Sequence, residues 1–158
     1  MHTLILLRHA KADAPMNIED HKRPLSKSGI EDASMMAERL KRRGYTPDNI
    51  ISSDALRATT TADIFAKTLE RELILNHELY NADAQSISNL IKDMDEEIKD
   101  LVLVGHNPTW EALVEYFTNE IIAMRPCSIV QISFDITWKD IQKGDGKVIY
   151  FDDPKEVR

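Results

Sequence analysis

Leu4-Ile5-Leu6-Leu7-Arg8-His9 decides how this chain is read: four aliphatic residues without a break, stopping on an arginine and a histidine. An apolar run of that length reads as a β-strand buried on both faces, as in a largely parallel sheet. The same arrangement returns at Leu101-Val102-Leu103-Val104-Gly105-His106-Asn107-Pro108. In open sheets of this kind ligands bind just beyond the carboxyl ends of the strands. Two imidazoles at two such ends can therefore meet across one crevice, and the arginine beside the first suits that crevice to an anion.

Working outward, strand and helix signals alternate. A polar loop, Lys11 to Arg23, leads to Pro24-Leu25-Ser26, where Ser26 suits a helix N-cap. The helix runs through Ala33, Met36, Ala37 and Leu40 and ends at Gly44, after the basic turn Lys41-Arg42-Arg43. Asn49 to Ser53 reads as a second strand, and Asp54 can cap a helix carrying Leu56, Ala62, Phe65, Ala66 and Leu69. Leu73 to Leu75 is a third strand, and Ala84 to Lys99 is a surface helix turning Ile87, Leu90, Ile91 and Met94 inward. Pro108 occupies a favoured first helical position before Leu113, Val114 and Phe117. Ser128 to Ile136 alternates as an edge-side antiparallel strand, and Gly144-Asp145-Gly146 turns into a hairpin partner over Lys147 to Phe151. Asp152 to Arg158 reads as a polar tail. No repeat or linker interrupts the pattern, so one α/β domain over 1–158 is expected.

Composition narrows the function classes. The 158 residues are 42% hydrophobic and 30% charged, which is globular rather than disordered. A net charge of −7 argues against nucleic acid or an anionic membrane as partner. One cysteine, Cys127, excludes an intrachain disulfide and suits a reducing cytoplasm, where the protein is expected. Leu4 to Leu7 is too short for a signal-peptide core. No run approaches the roughly 20 apolar residues of a membrane span.

The residues fit for chemistry gather at the predicted strand ends. Arg8-His9, Arg57 in the first turns of its helix, Glu78 after the third strand and His106-Asn107-Pro108 supply two arginines, two histidines and a carboxylate. Phosphoryl transfer needs this set. Arginine forks hold phosphate oxygens, a neutral imidazole attacks phosphorus, and a carboxylic acid protonates a leaving group. No P-loop, zinc spacing or nucleophile elbow is present.

Four segments then carry a resemblance. Leu6-Leu7-Arg8-His9-Ala10 resembles the Arg-His-Gly motif of the histidine phosphatase (phosphoglycerate mutase-like) superfamily, with Ala10 in place of the usual glycine. Leu25-Ser26-Lys27-Ser28-Gly29 resembles its Leu-Ser/Thr-x-x-Gly segment. Ser52 to Ala62 resembles its Ser-x-x-x-Arg-Ala-x-x-Thr-Ala segment, and Val104-Gly105-His106-Asn107 its late Gly-His. Asp20-His21-Lys22-Arg23-Pro24-Leu25, Gly-His-Asn-Pro and the short length look most like the SixA-type phosphohistidine phosphatase branch. The resemblance implies a phosphoglycerate mutase-like, three-layer α/β sandwich with a mostly parallel central sheet and a C-terminal antiparallel strand or hairpin. It also implies His9 as phosphoryl-accepting nucleophile, with Arg8, Arg57 and His106 completing the phosphate pocket. Arg23 is a further candidate cation for that pocket, and Asn107 a further phosphate ligand. Glu78 stands where larger members carry the proton donor; its other reading is a surface carboxylate on a loop.

The expected activity is a metal-independent, cofactor-free phosphomonohydrolase, acting on phosphohistidine in a phosphorelay or carrier protein of signal transduction, or on a small phosphate ester. Two other classes stay open. One is a metallohydrolase binding a divalent ion at His9, His106 and Asp54, which arginines at the same place disfavour. The other is a non-catalytic module that binds a phosphorylated partner. His2, His21 and His77 read as surface groups, and Cys127 as packing rather than nucleophile. Trp110 and Tyr116 read as helix packing, Trp110 lying near enough to His106 to rim the site.

Overall fold

The computed structural model describes residues 1–156. Its strands are β1 (His2–Arg8), β2 (Asn49–Ser52), β3 (Leu73–Leu75), β4 (Asp100–Gly105), β5 (Ile129–Phe134) and β6 (Gly146–Asp152); its α-helices are α1 (Lys27–Arg42), α2 (Leu56–Leu69), α3 (Ala84–Lys92) and α4 (Thr109–Thr118). They build one six-stranded sheet in the order β3-β2-β4-β1-β5-β6. β3, β2, β4 and β1 run parallel, whereas β5 pairs antiparallel with β1, and β6 with β5.

β1 and β4 lie in the middle, which is why their aliphatic runs are continuous: side chains on both faces of a central strand must be apolar. Alternate residues feed two separate cores. Leu4, Leu6, Leu101 and Leu103 pack on one face with Ile87 and Ile91 of α3 and Leu113 and Phe117 of α4. Ile5, Leu7, Val102 and Val104 pack on the other with Met36 and Leu40 of α1 and Phe65 and Leu69 of α2. Helices on both faces of the sheet make the three-layer sandwich.

Two motif glycines are required by close approach. A Cβ on Gly29 would stand 2.1 Å from the Lys11 carbonyl oxygen. That carbonyl also accepts from the Ser26 backbone N–H at 2.9 Å and from Ser26 Oγ at 3.1 Å, so the start of α1 is moored to the loop after β1. A Cβ on Gly105 would meet the Trp110 ring at 2.3 Å. Trp110 is fully buried there, so it packs the core beneath the late histidine and does not rim the pocket.

Several expectations shift. Asp54 does not cap α2: the cap position is Ala55, whose N–H donates to Ser53 Oγ at 3.2 Å. The helix expected over Ala84 to Lys99 ends at Lys92. Beyond it the Glu96 carboxylate accepts from the backbone N–H groups of Trp138 and Lys139, which needs the chain turned rather than coiled. The edge-side antiparallel strand and its hairpin partner do form as expected, with β6 outside β5. The expected polar tail begins as structure: Asp152 closes β6 and Asp153 follows, both buried and ion-paired, at 2.9 Å to Arg39 and 3.2 Å to Arg125. Val157 and Arg158 of that tail lie outside the described residues. His2 is buried against Trp138 rather than exposed.

Candidate active site

The parallel register sets the site. Arg8 of β1 is paired with Gly105 of β4, so the next residues, His9 and His106, emerge side by side with ring centroids 5.2 Å apart. The His9 N–H donates to the Gly105 carbonyl at 3.0 Å, and the Cys127 N–H donates to the Arg8 and His9 carbonyls from the other side. Thr61 of α2 adds a brace, its hydroxyl accepting from the Ala10 N–H at 3.0 Å and donating to the Arg57 carbonyl at 2.8 Å. Ala10 has no positive φ, so the alanine costs no backbone strain.

The His9 ring is oriented for one role. Its Nδ1–H donates to the Ala10 carbonyl at 2.7 Å, which places the proton on Nδ1 and leaves the Nε2 lone pair available. His106 is held by Ser53, with 2.8 Å between Nε2 and Oγ. Its Nδ1 is buried without a partner, as are Nε of Arg8 and Nε of Arg57. Unpaired buried polar atoms are uncommon in native interiors. An anion seated among these groups can accept from their N–H donors.

The two arginines come from different elements. Arg8 donates to the Met124 carbonyl at 2.8 Å, and burial pulls its pKa down despite the Glu111 charge. Arg57 projects from the first turn of α2 and is occupied: it donates to the Asp20 carbonyl at 2.6 Å and to the Asp20 carboxylate at 3.0 Å. That carboxylate also accepts from Tyr80 Oη at 2.7 Å and from Arg23 at 3.2 Å. These hydrogen bonds, Tyr80's first, hold Asp20 far below the usual carboxylate range. Three donors converging on one carboxylate form an oxyanion cradle, and Asp20 competes with any phosphate for Arg57.

The remaining candidates separate. Arg23 belongs to the site through Asp20, its Nε donating to the Asp13 carbonyl at 3.0 Å. Asn107 instead commits its amide to the protein, donating to Glu111 at 2.9 Å and to the Met124 carbonyl at 3.0 Å. It positions the segment that Arg8 grips rather than presenting its own donors. Glu78 is exposed and lines a cleft of about 460 Å³ with Tyr80, Ala82, Ser86 and Leu90. Cys127 is fully buried, and burial pushes its thiol up, which makes it core packing. Asp20 opened the Asp20–Leu25 segment that carries the SixA-type resemblance but was not singled out within it, and Tyr80 carried no motif. Ser53 and Thr61 stood inside the third motif as its serine and threonine.

Both imidazoles are neutral at physiological pH. Burial is the main cause, and the Arg8 and Arg57 charges add to it, lowering His9 to about 3 and His106 to about 4. An unfolded histidine titrates near ~6.5. Between that value and the folded ones the unfolded chain binds protons that the folded chain does not. This contribution to stability is complete above about pH 6.5 and is lost as pH falls toward the folded values. Urea midpoints measured from pH 7 to 4.5 are expected to fall, and His9→Gln is expected to flatten the slope. A wild-type profile that stays level across that window contradicts neutral, desolvated imidazoles.

Comparison with known proteins agrees with this geometry. Residues 4–113 match the model of the histidine phosphatase superfamily (branch 1). An uncharacterised protein of Mycobacterium tuberculosis is 29% identical over 165 residues, covering 94% of this chain and 100% of the relative. A solved chain from Agrobacterium tumefaciens, described as a candidate SixA phosphohistidine phosphatase, is 27% identical with a TM-score of 0.81, covering 95% of this chain and 96% of that one. The protein histidine phosphatase SixA, solved in complex with tungstate, superimposes with a TM-score of 0.87 over 99% of both chains at 20% identity. That likeness establishes the phosphoglycerate mutase-like fold. The matched segment runs from β1 into α4 and takes in all four motifs, with His9 and His106 at neighbouring strand ends and Arg57 in the first turn of α2: this chain belongs to the histidine phosphatase superfamily.

Proposed function

We propose that this protein is a phosphatase that hydrolyses phosphohistidine on a protein through a covalent phosphohistidine intermediate on His9, with no metal ion. The observation that carries the reading is the His9 ring, fixed by Nδ1–H on Ala10 and neutral by burial, so that Nε2 is a free nucleophile beside two arginines. Superfamily membership and the SixA-like structures support phosphatase chemistry. Nε2 attacks phosphorus and the substrate's P–N bond breaks, its imidazole leaving as the neutral ring with the proton on its other nitrogen; water then attacks phosphorus, displaces His9 Nε2 and releases inorganic phosphate. Arg8, Arg57 and His106 stabilise charge on the equatorial oxygens, and Arg23 adds positive charge through the Asp20 cradle. The partner in this reading is a phosphohistidine carrier or phosphorelay domain met in the cytoplasm, and residues 1–158 act as a single histidine phosphatase domain.

The leaving group supports the substrate choice. Imidazole leaves phosphorus readily, so a phosphohistidine phosphatase needs less help from a proton donor than an enzyme cleaving alkyl phosphates. Glu78, the candidate donor, stands exposed at the cleft beyond Tyr80. The test is kcat/KM on a phosphohistidine protein, free phosphohistidine, nitrophenyl phosphate and alkyl phosphates. The protein substrate is expected to lead. Glu78→Gln is expected to slow alkyl phosphates more than nitrophenyl phosphate or phosphohistidine. Faster wild-type turnover of alkyl phosphates overturns the substrate and keeps the His9 chemistry, whereas no turnover of any substrate leaves a phospho-partner binding module.

A further inference from the structure

At the rim of the pocket, outside the groups assigned to phosphoryl transfer, two histidines close on one carboxylate. His21 Nε2 lies 2.9 Å from Asp54 Oδ1, and His77 Nδ1 lies 3.0 and 2.8 Å from the two Asp54 oxygens. All three potential ligand atoms fall within 4.8 Å of one another. They come from separate parts of the chain: the turn Asp20–Lys22, the residue before the cap of α2, and the turn His77–Leu79 after β3.

We propose that His21, Asp54 and His77 form a binding site for a divalent transition-metal ion, zinc above all, distinct from the His9 pocket. Two imidazole nitrogens and one carboxylate oxygen are a borderline donor set that suits zinc and disfavours magnesium or calcium. In a tetrahedral zinc site, bonds of roughly 2.0–2.1 Å place ligand atoms about 3.3 Å apart. The N···O separations of 2.8–3.0 Å must therefore open slightly, a small motion for the largely exposed His77. Its side chain is 72% exposed against 29% for Asp54 and 37% for His21, which leaves a coordination position facing solvent. Each histidine would carry its remaining proton on the nitrogen away from the metal. The nearby arginine charges, Arg57 and Arg23, are met by Asp20.

The position gives the ion a consequence. Its three ligands sit in the same three segments that build the Asp20 cradle: His21 follows Asp20, Asp54 is three residues before Arg57, and His77 is three before Tyr80. The His21 ring also meets Tyr80 edge-on at 4.8 Å. An ion there ties the segments together and holds Asp20 on Arg57, so it opposes phosphate entry.

The site is tested on untagged, chelator-stripped protein titrated with Co²⁺, whose visible absorption reports coordination, and then with Zn²⁺ as competitor. One equivalent is expected to bind, with affinity falling by at least about a hundredfold in His77→Ala and in His21→Ala and unchanged in His9→Ala. Circular dichroism in chelator establishes that each variant is folded, and the exposed His77 carries the test if His21→Ala is not. Zn²⁺ is also expected to slow amide exchange in the Asp20–Lys22 turn. Absence of a saturable site, a site that survives His77→Ala, or one lost in His9→Ala overturns the proposal. None of these readouts needs turnover, so a failed phosphatase assay leaves the result intact.

Discussion

Replacing His9 with alanine is expected to lower turnover by at least about 10⁴-fold, because the nucleophile and the covalent intermediate disappear together. The fold should survive, since the backbone bonds of residue 9 to Gly105 and Cys127 do not involve its side chain. A rapid quench of wild type without acid should then trap phosphate that is labile in acid and stable in base, and peptide mapping should locate it on His9. The geometry favours His9 over His106 for a specific reason. Its Nδ1 is bonded to a carbonyl, which accepts only, and so must carry the proton. The His106 Nε2 meets a hydroxyl, which can donate or accept. Ser53 Oγ already accepts from Ala55, leaving its hydrogen free for His106 Nε2 and suiting Nδ1–H to hydrogen bonding rather than attack. Phosphate on His106, or normal turnover by His9→Ala, reverses the assignment.

The arginine clamp is expected to show the next largest effect. Arg8→Lys and Arg57→Lys keep the charge and lose the planar fork, and each is expected to cost about 2–4 kcal/mol of transition-state stabilisation. The loss should fall on kcat/KM, with weaker competitive inhibition by phosphate, vanadate or tungstate. Asp20 supplies a control of opposite sign. Asp20→Asn removes the negative charge that competes for Arg57, so inorganic anions should bind more tightly to it than to wild type. Tungstate seated away from His9 and His106, or an Arg57→Lys protein that binds it as well as wild type, removes the clamp.

The central architecture was legible because burial on both faces leaves a continuous aliphatic run, and β1 and β4 are the strands that have one. Helix α1 was legible because Ser26 caps it and Gly44 ends it with φ +79°. The end of α3 was not, because Ile98 and Glu96 suit a helix by pattern and are claimed by partners across the fold: Trp138 Nε1–H donates to the Ile98 carbonyl and two backbone N–H groups to the Glu96 carboxylate. The buried pairing of Asp152 and Asp153 was hidden for the same reason, since their partners Arg39 and Arg125 are remote in sequence.

At the site, sequence alone named His9, Arg8, Arg57 and His106, because strand ends and ordered motifs mark them locally. Tertiary structure decided what those residues meet. The β1–β4 register sets the two imidazoles side by side, and burial makes them neutral. Asp20 and Tyr80 enter from loops whose polar residues carry no periodicity, and Asp54 leaves its expected cap for two histidines 33 and 23 residues away. Local pattern specifies which segments become strands and helices, since it reflects how one segment is buried. Which side chains converge at their ends depends on strand order and register, and these follow from packing the whole sheet at once.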